Sequence, residues 1–102
     1  MVEYHKLVRD KIPEMIAKNG ERPVVRILEE QEYFACLEKK LDEEVLEFHT
    51  DRNAEELADI LEVVFSLGRC IGVEPEQLLS LCKEKREARG GFENRIFLIG
   101  KE

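Results

Sequence analysis

The sequence predicts a mainly α chain: an antiparallel helical bundle of three long helices plus a short N-terminal helix, with short extended segments at the termini. Three observations carry this. Two long stretches place apolar residues every three to four positions, and the first of them holds no Gly or Pro. A third begins at Glu74-Pro75 and stops at Gly90-Gly91. The breaks between them are short, which makes neighbouring helices antiparallel.

Taken in order, Lys6 to Ile12 reads KLVRDKI and leads as extended chain into Pro13, which suits the first turn of a short helix from about Pro13 to Lys18. Asn19-Gly20 stops it. Glu21 to Ile27, with Pro23, Val24 and Val25, reads as a loop or brief extended segment. From about Leu28 to His49, the residues Phe34, Leu37, Leu41, Val45 and Phe48 form one amphipathic stripe. The break TDRN follows. A second long helix runs from about Ala54 to Cys70, with Asn53 as N-cap and Glu56 at the third helical position. Its stripe of Leu57, Ile60, Leu61, Val64 and Ile71 is widened by Val63, Phe65 and Leu67, which implies burial on two sides. After Gly72, a third long helix runs from Pro75 to about Arg89. The tail FENRIFLIG is rich in Phe and Ile and is expected to form a short strand, with the extended N-terminus as a candidate partner.

With 102 residues, 43% hydrophobic and 38% charged, residues 1–102 are expected to form a single folded domain. The 16 Lys and Arg against 23 Asp and Glu give a net charge of −7, which disfavours duplex nucleic acid and anionic membrane as partners. Cys36, Cys70 and Cys82 are odd in number and far apart, so reduced, partly buried thiols are expected rather than a disulfide framework or zinc site. The opening MVEYHKLVRDKI has no apolar signal-peptide core, and no run reaches membrane-spanning length, so the expected compartment is the cytoplasm.

The chemistry-bearing pattern is EEVLE, with Glu43, Glu44 and Glu47, followed by EELAD, with Glu56 and Asp59. A spacing of three puts Glu44 and Glu47 on neighbouring turns of one side, and likewise Glu56 and Asp59. In an antiparallel hairpin the end of one helix lies level with the start of the next, so the four carboxylates can converge. At roughly 100° per residue, Glu44 lies about 60° from the centre of its apolar stripe. Carboxylate oxygens are the hard ligands that Mg²⁺ prefers, and an open cluster suits a metal shared with substrate phosphates. In a chain this acidic, the same spacing also arises as solvated surface charge, and Glu56 has a second use in a capping box. A ferritin-like di-iron centre is disfavoured, because no E-x-x-H pair is present and His49 at a helix end suits the helix dipole. Basic residues cluster at Lys6, Arg9 and Lys11 and again at Lys83, Lys85, Arg86 and Arg89. Lys85 and Arg89 share a helix face ahead of two glycines and suit phosphate, although complementing the helix dipole is the simpler reading on chemistry alone.

EEVLE followed by EELAD resembles the E-E-x-x-E and E-x-x-D signature of the MazG-like, all-α nucleoside triphosphate pyrophosphohydrolases. YHKLVRDKIPEMI and KREARGGFENRIFL are similar to the opening and closing segments of a small phosphoribosyl-ATP pyrophosphohydrolase-like subfamily. The resemblance implies Mg²⁺ held by Glu44, Glu47, Glu56 and Asp59, with Glu43 as an outer participant. It implies cleavage of a nucleoside triphosphate between its α and β phosphates, with Lys85 and Arg89, together with Lys6 and Arg9, on the phosphates. It further implies a homodimer or homotetramer, which would account for the wide apolar arc of the second long helix. Phosphoribosyl-ATP hydrolysis and a non-catalytic oligomeric helical binding module are the alternatives.

Overall fold

The computed structural model describes residues 1–102 and contains four helices and no strand: α1 (Ile12–Lys18), α2 (Glu30–Asp51), α3 (Ala54–Cys70) and α4 (Pro75–Arg89). Helices α2 and α3 form an antiparallel hairpin that supplies most of the tertiary packing, and α4 leans on the C-terminal end of α3. No helix is long and apolar enough to cross a membrane.

The long helices follow the predicted pattern, with one instructive shift. Helix α2 starts at Glu30 and continues through Thr50 and Asp51, two residues beyond the expected stop. The Thr50 hydroxyl donates to the Leu46 carbonyl at 3.1 Å, which lets this residue stay helical. The turn then falls on Arg52, which adopts the left-handed conformation (φ 49°, ψ 45°) and donates its N–H to the Phe48 carbonyl. Asn53 caps α3 as expected, its side-chain oxygen accepting the Glu56 N–H at 3.0 Å. At α4 the Gln77 side chain accepts the Glu74 N–H at 2.8 Å, behind Pro75 in the first turn.

Leu37 on α2 and Val63 on α3, 3% and 6% exposed, are the two buried hydrophobic side chains. Gly68 is also buried, because an added Cβ would lie 3.1 Å from the Val73 carbonyl oxygen, where the chain turns from α3 into α4. The face of α3 turned to α2 is therefore centred on Val63, whereas Leu57 and Leu61 of the predicted stripe are half exposed.

The terminal strand expected over FENRIFLIG does not form, and no ladder joins the termini. Its residues favour β structure, but a strand needs a partner for its backbone groups. The tail instead makes a turn closed by the Arg95 N–H on the Phe92 carbonyl, and Phe92, Ile96, Phe97, Leu98 and Ile99 remain 80–97% exposed. All three cysteines are free. Cys36 is half-buried as expected, but Cys70 and Cys82 are exposed, since they lie on helix faces that nothing in the chain covers.

Candidate metal centre

The α2–α3 pairing positions the carboxylates. Glu44 follows Leu37 by seven residues, two turns of helix, and so points within about 20° of it. Glu56 precedes Val63 by the same interval. Each buried apolar residue thus has a carboxylate on the same line, and the antiparallel arrangement brings the two carboxylates to one level. Glu44 is accordingly 6% exposed, at the centre of the packed face rather than about 60° away at its boundary. The apolar residues at 34 and 45 had drawn the expected centre to one side, and both prove to be rim positions, 36% and 37% exposed.

Carboxylate oxygens of Glu44, Glu56 and Asp59 lie within 4.8 Å of one another. Glu44 Oε2 and Glu56 Oε2 are buried and have no hydrogen-bond partner. Such orphaned acceptors carry a desolvation cost. Burial is the largest influence raising the Glu44 pKa, partly opposed by a hydrogen bond from Lys40 and reinforced by the charges of Glu47 and Asp59. Glu56 is raised first by desolvation, then by its contact with Glu47 and by the charges of Glu47, Asp51 and Asp59. Glu47 is exposed and lies outside the trio, yet it faces Glu56 closely enough to shift it.

Two cations enter the cluster. Arg9, from the chain ahead of α1, donates from Nη2 to Asp59 Oδ1 at 2.7 Å. Lys40, one turn before Glu44, places Nζ 3.3 Å from Glu44 Oε1 and 3.5 Å from Glu43 Oε2. Glu43 is thereby engaged by Lys40 rather than by the trio. Sequence reasoning missed Lys40, although the i, i+4 spacing to Glu44 was a readable signal. The other predicted phosphate ligands are not brought to the carboxylates by ion pairing. Lys6 Nζ lies 6.0 Å from the centre of the Tyr4 ring, Lys85 makes no ion pair, and Arg89 lines a small cleft with the tail residues that follow it.

The arrangement is a set of hard oxygen donors, with the exposed Glu47 carboxylate beside Glu56 and Arg9 paired to Asp59. A divalent cation would satisfy the orphaned oxygens and relieve the crowding of negative charge.

No family model matches the chain, and no solved structure matches it. A protein of Mycolicibacterium smegmatis, described as an uncharacterized protein, is 57% identical over 42 residues, which cover 41% of this chain and 43% of that protein. The chain thus aligns with less than half the length of this curated relative.

Proposed function

We propose that the chain is a Mg²⁺-dependent nucleotide pyrophosphohydrolase of the MazG-like type, cleaving a nucleoside triphosphate between the α and β phosphates to give monophosphate and pyrophosphate. The observation that carries this reading is the trio Glu44, Glu56 and Asp59, drawn from two helices, with two buried carboxylate oxygens left without partners. The donor set fits a hard divalent cation, and the partly exposed Asp59 and exposed Glu47 leave it reachable from solvent. When bound, Mg²⁺ supplies charge neutralisation and Lewis-acid polarisation of the phosphates.

The chain's own residues have separate tasks in this scheme. Glu44, Glu56 and Asp59 hold the metal, with Glu47 completing the set from the exposed side. Arg9 exchanges Asp59 for a phosphate oxygen, since its planar fork suits either partner. Lys40 holds Glu44 in place through Oε1 and leaves Oε2 free to ligate. One carboxylate of the set would orient or deprotonate the attacking water, which is general-base work. The exposed apolar residues of α3 support self-association into a homodimer or homotetramer, and three free thiols suit a reducing, cytoplasmic setting.

The test is incubation of the purified chain with ribo-, deoxyribo- and modified nucleoside triphosphates and with phosphoribosyl-ATP, with and without Mg²⁺, resolving products by anion exchange. Monophosphate and pyrophosphate formed only with metal, and lost in Glu44→Gln and Asp59→Asn, is the expected result. A folded protein inert across the whole panel would overturn the reading.

A further inference from the structure

We infer that the C-terminal tail is an exchanged arm: residues 92–101 of each copy lie in the apolar groove between α2, α3 and α4 of a second copy of this chain. This deepens the self-association proposed above, and its test reads mass rather than turnover.

The chain exposes 9662 Å². A compact monomer of 11.9 kDa would expose about 5,950 Å², leaving an excess of about 3,700 Å². The radius of gyration is 18.0 Å, against about 13 Å for a compact domain of this length. An obligate homodimer removes roughly 1,000–2,500 Å² from each copy, so the excess suffices for one.

A groove of about 410 Å³ is lined by Phe34, Leu41, Val64, Leu67, Ile71 and Leu78. The tail offers Ile96, Phe97, Leu98 and Ile99 in succession, each at least 80% exposed. In an extended segment, alternate side chains point to opposite faces, so this run is apolar on both and needs cover on two sides. Seating between two subunits provides that.

Charge fits as well. The acidic residues on the groove wall, Glu38 and Asp42, make no ion pair, and neither do Arg95 and Lys101 of the tail. The root of the tail is directed by Gly90 (φ 84°) and held by an ion pair from Arg86 to Glu93. Docking the tail back onto its own groove would hide these side chains but leave Leu46, Leu57 and Leu61, 47–66% exposed, in water. A second copy accounts for both sets.

The experiment uses two charge-reversed full-length chains, Glu38→Lys/Asp42→Lys and Arg95→Glu/Lys101→Glu, all at exposed positions. Mass is read by light scattering after size exclusion, with circular dichroism to confirm helix content. The wild-type chain should be an oligomer, and each reversed chain alone should dissociate at least tenfold more readily. Mixing the two should restore wild-type assembly, because every tail then meets a groove of opposite charge only in the partner. A monomeric wild type would overturn the proposal. So would assembly indifferent to both reversals, which would leave self-association standing without the arm, and so would failure of the mixture to recover, which would place the tail on its own chain.

Discussion

Replacing Arg9 by Ala should tighten metal binding to the nucleotide-free protein while weakening nucleotide binding. In the structure Arg9 occupies Asp59 at 2.7 Å, with the two side chains 57% and 39% exposed. An ion pair this exposed contributes about 0.2–1 kcal/mol, most of its Coulomb attraction being screened by water. Freeing Asp59 should therefore lower the Mg²⁺ dissociation constant by about 1.4- to 5-fold. The nucleotide loses more, because a charge-assisted hydrogen bond to phosphate is worth about 1.5–3 kcal/mol, and KM should rise by about 10- to 150-fold. Arg9→Lys should retain part of the phosphate attraction without the two-pronged fork. Titration calorimetry of the nucleotide-free protein with Mg²⁺ gives the first quantity, and steady-state kinetics at saturating metal gives the second. A metal affinity that falls or stays fixed in Arg9→Ala would refute the idea that the arginine and the cation compete for Asp59. An unchanged KM would remove Arg9 from the phosphate site.

Three further outcomes follow from the geometry. Glu44 and Glu56 bind protons more tightly in the folded chain than in the unfolded one, so metal-free stability should fall as pH rises from the ordinary carboxylate range through their raised pKa values. Glu56→Gln should flatten that decline in denaturant titrations at several pH values, and saturating Mg²⁺ should cancel it in the wild type; a decline unchanged by either would count against the crowding of charge. Glu32 and Glu93, held low by Arg26 and Arg86, act with the opposite sign and at lower pH, so the two effects separate. Leu37→Ala should cost about 2–5 kcal/mol by urea denaturation, because this 3%-exposed side chain is one of two that form the buried apolar centre. Asn53→Ala removes the acceptor of the Glu56 N–H and should cost about 1 kcal/mol while loosening metal binding, whereas Ser at that position should restore most of both.

Much of the fold was legible because helix signals are local. Pro75, Gly90 and Asn53 mark helix ends through backbone chemistry that operates within a turn or two, and the ends of α3 and α4 fall where those residues place them. Thr50 was harder to read, since its side chain either breaks a helix or bonds back within it, and only the Leu46 carbonyl decides. The depth of Glu44 is hidden from the sequence for a different reason. A stripe drawn through every apolar residue of α2 averages those that meet α3 with Phe34 and Val45, which lie at the rim, and nothing in one helix alone tells them apart. Arg9 was legible as a basic residue but not as the partner of Asp59, a contact spanning fifty positions. The tail illustrates the converse, because β-favouring composition does not supply a neighbouring strand.

The turn between α2 and α3 consists of Arg52 and Asn53. Both are exposed, and exposed loops ordinarily accept extra residues at little cost. This one should not. Extending α3 by one residue at its start would rotate every later position by about 100° and advance it by about 1.5 Å relative to α2. Glu56 and Asp59 would then leave the side of α3 that looks at Glu44 even while the hairpin persisted. Tolerance of length change should thus divide sharply along the chain, broad in the segment before α2 and nearly absent across these two surface residues, so that indel scanning alone would locate the carboxylate centre.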